Sequence, residues 1–350
     1  MIVVEPLDPH RASDSELAGF YAVRSASMAV DTPEDDPVTY ENVVGRLRTP
    51  LPGAGEVRYW LGTRDGEAVA LAVAVFPGHE NARMALTDVV VHPDHRRRGI
   101  GAAVLRAVVP ELVACGREVV ESLHVVQGSA GEEWALSLGF RVVHAGIVQH
   151  LRFADVDRTL WDVPVPEGYR VERWVGAAPE ELVASYAVAK GAMHDAPRGG
   201  DLEYRDPEWT VDRVRELEAE VRGSGVEERV VVAVHEPTGE VVGLTQLQRH
   251  PPRPRHGYQG DTAVLAAHRG HGLGRVVKAH MLRWLDDDGV ELDVVDTGTA
   301  ADNVHMAGVN HSLGYATVRT VMAVNRTVAG LLEALGGVDA QQRQTEHEDP

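Results

Sequence analysis

The chain of 350 residues has a single cysteine, Cys115, and two lysines, Lys190 and Lys278. One thiol excludes an intramolecular disulfide framework and a cysteine-built zinc site. Its place at the end of an apolar run, just before Gly116, reads as a buried, inert thiol. With only two lysines, nearly all the basic residues are arginine, a bias that reads as a coding preference rather than chemistry. Positive charge is itself short, since 34 Lys and Arg stand against 53 Asp and Glu, a net −19. That balance excludes nucleic acid and an anionic membrane as main partners, because their phosphates are repelled by such a surface, and it suits a cationic substrate. Nothing approaches 18 uninterrupted apolar residues, and the opening MIVVEPLDPHRASDSE lacks the basic and long apolar segments of a signal peptide. A cytoplasmic protein is expected, a monomer or homodimer. The 17 histidines show no paired helical spacing with a carboxylate, so no metal site is expected.

What is present comes twice. ELAGFYAVRSASM from Glu16 and ELVASYAVAKGAM from Glu181 share six residue types at an offset of 165, and both have the spacing of an amphipathic helix. DGEAVALAVAV at Asp65 parallels TGEVVGLTQL at Thr238, and DVVVHPDHRRRGIG from Asp88 parallels DTAVLAAHRGHGLG from Asp261, both offset by 173. LGFRVV at Leu138 meets LGYATV at Leu313 at an offset of 175. Ordered matches with slowly drifting offsets are what a duplicated domain produces when its loops change length. At 44% hydrophobic content, two domains can each bury a core. Hairpin strands mixed with strand–helix–strand units predict an α/β (α+β) class, with helices on a mixed, mainly antiparallel twisted sheet. The expected domains are 1–158 and 159–330, divided where Pro164, Pro166 and Gly168 interrupt the pattern, with a disordered polar tail at 337–350.

In each copy an apolar strand ends and a helix begins inside Arg-x-x-Gly-x-Gly: Arg96, Gly99 and Gly101, then Arg269, Gly272 and Gly274. Glycine permits close backbone approach and positive φ, and a helix N-terminus offers unpaired N–H groups, a combination that binds phosphate. A dinucleotide fingerprint would need a third glycine, where Val104 and Val277 stand, and a nucleotide-triphosphate loop would need Gly-Lys-Ser/Thr.

On these residues the chain resembles the Gcn5-related N-acetyltransferases (GNAT), in tandem two-domain form. That family's Arg/Gln-x-x-Gly-x-Gly/Ala motif binds the pyrophosphate of acetyl-coenzyme A. The resemblance implies that the cofactor lies on Arg96, Arg97, Arg98, Gly99, Ile100, Gly101 and Ala102 in one copy, and on Arg269, Gly270, His271, Gly272, Leu273, Gly274 and Arg275 in the other. It implies that strand backbone at Val89, Val90 and Val91, or at Val264, Leu265 and Ala266, pairs with the pantetheine arm, and that the strands reaching Val125 and Thr297 splay away to open the acyl slot. In the later motif Asn-x-x-Ala-x-x-x-Tyr-x-x-x-Gly-Phe, the second copy has Asn303 at the cofactor-contacting asparagine and Asn310 in place of the tyrosine that protonates the leaving thiolate. The first copy has Gly128 and Ala135 at those places.

Acyl transfer to an amine needs a base for the ammonium proton. The candidates on or beside the fourth strands are Asp88 and its equivalent Asp261, with Tyr258, His256, His79 and Glu80 upstream, and His124 or Asp296 on the splayed strands. Each has an ordinary alternative, a strand-edge carboxylate or a core histidine. The expected activity is acetyl transfer from acetyl-coenzyme A to a primary amine of a small molecule, such as an antibiotic or metabolite. The competing expectation is a coenzyme-A-binding protein in which one or both copies are degenerate. The acceptor loops are expected around Ala29 to Tyr40 and Met193 to Trp209.

Overall fold

The computed structural model describes residues 1–195 and 202–345, with side chains described for 1–193 and 202–336. The chain forms two compact units. The first is Met1–Ala145 with Gly200–Arg205 and Val321–Pro350, and the second is Gly146–Gly199 with Asp206–Thr320.

The elements run β1 (Ile2–Leu7), α1 (Asp14–Asp31), α2 (Tyr40–Arg48), β2 (Glu56–Arg64), β3 (Glu67–Phe76), β4 (Met84–Val91), α3 (Ile100–Ala114), β5 (Val119–Val126), α4 (Ala130–Ser137) and β6 (Arg141–Arg152). After them come β7 (Tyr169–Val175), α5 (Val183–Gly191), α6 (Val211–Ser224), β8 (Glu227–His235), β9 (Glu240–Arg249), β10 (His256–Val264), α7 (Leu273–Asp287), β11 (Val294–Ala300), α8 (Val304–Ser312), β12 (Ala316–Thr327) and α9 (Val328–Thr345). Local chemistry accounts for many of the boundaries. Ser13 and Glu16 form a capping box that starts α1. Asp65 and Gly66, both at positive φ, make the two-residue turn between β2 and β3.

Each unit has the same sheet. In the first, β1 to β4 run antiparallel in order, β5 joins β4 in parallel, and Val321–Thr327 of β12 closes the sheet against β5. In the second, β7 to β10 are antiparallel, β11 joins β10 in parallel, and Gly146–Arg152 of β6 closes it against β11. The chain division therefore differs from the expected one at residue 158. Each unit takes its sixth strand from beyond the contiguous stretch that supplies the other five. Backbone hydrogen bonds carry that pairing, and an apolar/polar pattern along a strand does not identify the partner edge.

Each sheet is covered on both faces. In the first unit α3 packs on one face with Trp60, Val69 and Val104, and α1 and α2 cover the other through Leu17, Phe20 and Val44. In the second, α7 covers one face around Leu282 and Val295, and α5 and α6 cover the other around Tyr186 and Val214. α9 runs to Thr345, into the stretch expected as a polar tail. Val328, Leu331 and Leu335, spaced to share one helix face, bury against α3, and Arg106 Nη2 donates to the Leu335 carbonyl at 3.0 Å. Residues 346–350 lie outside the described residues. Among the described residues no helix is long and apolar enough to cross a membrane, and no group of His, Cys, Asp or Glu is placed to hold a metal ion.

Candidate active site

The parallel pair at the centre of each unit opens partway along. β4 and β5 pair from Met84–Val119 to Leu86–Glu121, and β10 and β11 from His256–Val294 to Gln259–Thr297. Beyond those rungs the fourth strand continues along its antiparallel neighbour, to Val91 and Val264 respectively. A backbone edge is thus exposed at the split, Thr87–Val91 in one unit and Gly260–Val264 in the other. Leu265 and Ala266, expected on this edge, lie past it in the turn toward α7, and the Leu265 N–H is already given to the Val242 carbonyl at 2.9 Å. Thr262, Ala263 and Val264 are the true counterparts of Val89, Val90 and Val91.

The glycine loops fold alike. Gly99 and Gly272 precede α3 and α7 at φ of 73° and 75°, and the residue after each motif arginine is also left-handed, Arg97 at 62° and Gly270 at 85°. Side chains cap α1, α2, α4, α6 and α8, whereas α3 and α7 open on glycine with no side-chain cap. The first N–H groups of these two helices are left for an anion, which fits the phosphate end of a coenzyme. Gly101 has a second constraint, since a Cβ there would lie 2.8 Å from the Trp134 ring.

The motif arginines are engaged by protein groups. Arg96 Nε donates to the Val91 carbonyl at 3.1 Å and Arg269 Nε to the Val264 carbonyl at 3.0 Å, each bracing the loop to the end of its strand. Arg96 also holds Asp31 and reaches Ser27 at 3.2 Å. Burial acts to raise the Asp31 carboxyl, but the Arg96 and Ser27 hydrogen bonds keep it below its ordinary value. The cations left at the first unit's loop are Arg97 and Arg98, both exposed; at the second unit's loop His271 and Arg275 are exposed.

The two copies part at the fourth strand. β4 keeps regular register against β3, and Asp88, exposed there, is paired with Arg24 of α1 at 3.2 Å. β10 bulges against β9 between Gln259 and Thr262, so that Gly260 and Asp261 together stand opposite the single residue Gln246. Among the described residues no hydrogen bond or ion pair engages the Asp261 carboxylate. Its charge acts on Tyr186, Lys190 and Glu228, on the face covered by α5 and α6. Behind the bulge runs a buried chain: Tyr315 Oη donates to Gln259 Oε1 at 2.8 Å, Gln259 Nε2 to Thr245 Oγ1 at 2.7 Å, and Thr245 and Thr262 hydroxyls meet at 2.8 Å.

Asn310 is fully buried and its Nδ2 donates to Gln149 Oε1 at 2.7 Å, so it is part of the core and is not a proton donor at the split. Asn303 caps α8 by accepting the Met306 N–H at 3.1 Å. Thr297 closes the foot of the split, donating to the Gln259 carbonyl at 3.3 Å. His124 is exposed where the register of β5 against β12 shifts. Tyr258 lies two residues before the bulge, its ring 4.4 Å from His256, which pairs with Asp296 at 2.6 Å. Of the expected acceptor loops, residues 196–201 lie outside the described residues. Sequence reasoning missed Tyr315 and Gln259. The tyrosine was visible as Gly-Tyr where the family motif has Gly-Phe.

In the first unit the matching ground is occupied. Glu121, fully buried at the last rung before the split, accepts the Glu203 N–H at 3.1 Å, and Asn81 both accepts from the Arg205 N–H and donates to its carbonyl at 2.8 Å. Burial pushes the Glu121 carboxyl up.

A mixed sheet that splits after its fourth strand, beside an uncapped helix opened by glycine, defines an acyltransferase fold, present here twice. The chain belongs to the acetyltransferase (GNAT) family, whose model matches residues 26–147 and 198–315, and it is an N-acetyltransferase of that type. It is 30% identical over 254 residues to the mycothiol acetyltransferase of Frankia casuarinae, covering 69% of this chain and 67% of that one. The mycothiol acetyltransferase of Renibacterium salmoninarum is 24% identical, covering 89% and 88%. In fold it is similar to a tandem GNAT protein from the clavulanic acid biosynthesis pathway, with TM-score 0.74, 24% identity and coverage of 94% of this chain and 99% of that one.

Proposed function

We propose that the second unit transfers an acetyl group from acetyl-coenzyme A to a primary amine of a small molecule, and that the first is a cofactor-holding or structural copy. The observation that supports this reading is the β10 bulge at Gly260 and Asp261, since among the described residues no hydrogen bond or ion pair engages the Asp261 carboxylate. Its counterpart Asp88 lies on a regular strand and is paired with Arg24. The relatives named mycothiol acetyltransferases support a small-molecule acceptor, and the acidic surface suits a cationic one.

The uncapped N–H groups of α7 and the backbone of Gly270 to Gly274 would hold the coenzyme's phosphates, and the edge of Thr262 to Val264 its amide arm. When bound, acetyl-coenzyme A supplies an activated thioester. Asp261 accepts the acceptor's ammonium proton, leaving a neutral amine as nucleophile. Strand N–H groups along the exposed β10 edge are donors of the kind that stabilise a developing oxyanion. The usual tyrosine acid is replaced by Asn310, so a water or another hydroxyl returns the proton to the leaving thiolate.

Thiol release from acetyl-coenzyme A, followed across a panel of amino sugars, aminoglycosides and aliphatic amines, tests the reading. Amine-dependent release is expected with at least one of them. Tight cofactor binding with no turnover on any amine would favour the binding-protein alternative.

A further inference from the structure

The hydrogen-bonded chain of Tyr315, Gln259, Thr245 and Thr262 belongs to the second unit alone. Tyr315 is 3% exposed, Gln259 5% and Thr245 0%. Polar groups at that depth are costly unless each is partnered. At the repeat offsets of 175 and 173, the first copy has Phe140 for Tyr315, Ala72 for Thr245 and Val89 for Thr262. All three pack into the apolar core beside α3, so that copy folds without the chain. Ala72 and Val89 are cross-strand partners, as are Thr245 and Thr262. The same pair of places is therefore apolar in one unit and carries two hydroxyls in the other.

The chain has a direction. Tyr315 gives its proton to Gln259 Oε1 at 2.8 Å, which turns Gln259 Nε2 toward Thr245 Oγ1 at 2.7 Å. Thr245 accepts from that amide, and among the described residues the Thr262 hydroxyl, at 2.8 Å, is the acceptor for its own proton. Thr245 is fully buried and has no bulk water to donate to instead. Thr262 thus accepts from Thr245 and keeps its own proton to give. Unlike the other three it is partly exposed, and it is the first residue past the bulge on the β10 edge that the split lays open. Hydrogen bonds that run in one direction polarise one another and strengthen the donor at the end.

We propose that Thr262 is a catalytic hydrogen-bond donor, its hydroxyl holding the sulfur of the acetyl thioester as the coenzyme leaves, with Thr245, Gln259 and Tyr315 as positioning residues. This rests on the reading of the second unit as the working one. It fills the role left by Asn310, which is buried against Gln149 and gives no proton at the split. As the carbon–sulfur bond breaks, its electron pair passes to sulfur. The Thr262 proton stays on oxygen and holds that charge by a hydrogen bond, and water afterwards supplies the thiol proton. Val89 offers no such donor in the first unit.

The test is the ionisation of the coenzyme A thiol on the protein, read by carbon NMR of coenzyme A labelled at the carbon bonded to sulfur, with the second unit's signal assigned as the one lost in Gly272→Glu. A hydroxyl that donates to the thiolate favours the ionised form. In Thr262→Val and Thr262→Ala the titration midpoint is therefore expected about one pH unit above wild type. Thr262→Ser, which keeps the hydroxyl, should stay near the wild-type value. The ionisable groups beside the chain are Tyr315 itself, Asp261 next to Thr262, Asp296, and Lys278 with Nζ 5.3 Å from the Tyr315 ring centroid, and all are the same in these proteins. Valine is what the first copy carries at this place, and calorimetric titration with coenzyme A checks that each variant is folded and loaded. An unmoved midpoint in the loaded Val and Ala variants overturns the proposal. If Gly272→Glu removes no signal, the reading of the second unit falls instead.

Discussion

Asp261→Asn is expected to lower kcat/KM for acetyl transfer by about 10³-fold, within the range for removing a positioned general base. An amide has the shape of the carboxylate but takes up no proton at working pH, so the amine stays protonated at the split. Asp88→Asn, at the repeat-equivalent place, is expected to cost no more than a few-fold, because that carboxylate is exposed and already paired with Arg24. Binding of acetyl-coenzyme A, measured by calorimetry, should survive both substitutions, since neither residue belongs to the glycine loops. Equal losses in the two variants, or loss in Asp88→Asn alone, would assign the chemistry differently.

The second large effect is on stability. Lys278 lies in the core of the second unit with its Nζ 5.3 Å from the centroid of the Tyr315 ring, and burial pushes it down to about 7. An unfolded lysine titrates near 10.4, so between about pH 7 and 10.4 the unfolded chain binds the extra proton, and stability rises with pH across that window. Below about pH 7 both states carry the proton and the full penalty applies, of the order of 3–5 kcal/mol from a gap of that size. Lys278→Met keeps the length of the side chain and removes the charge. At pH 7 or below, the variant is expected to be more stable by that amount and to melt about 10 °C higher. Its advantage should shrink toward zero by about pH 10.4. Melting curves of both proteins from pH 6 to 10.5 measure this, and a variant less stable at pH 7 would show that the ammonium is held by more than the structure reveals.

How much of this was legible in the sequence follows from what each feature depends on. The repeat, the glycine loops and the strand–helix order could be read because they rest on residue types at fixed spacings. Gly99 and Gly272 stand at left-handed φ where glycine is required. The reciprocal exchange of closing strands could not be read, because any strand edge can pair with Val321–Thr327 or Gly146–Arg152 through backbone groups alone. The protein contacts of the motif arginines could not be read for a related reason. A guanidinium beside a phosphate loop looks the same in sequence whether it meets a phosphate or, like Arg96, the carbonyl of Val91 and the carboxylate of Asp31. The two lysines looked like the residue of a coding bias, yet both are buried in one unit. The bulge in β10 left a faint trace, the Gly260-Asp261 pair in a strand whose counterpart in the first copy reads Thr87-Asp88.

The most direct test of the second unit as the working one is a matched pair of loop variants, Gly99→Glu and Gly272→Glu, assayed for amine-dependent thiol release. The two glycines share the same backbone geometry, φ 73° and 75°, so backbone strain and added negative charge are equal in both. The account predicts that turnover falls at least about 100-fold further in Gly272→Glu than in Gly99→Glu. The reverse order would contradict it and move the chemistry to the first unit.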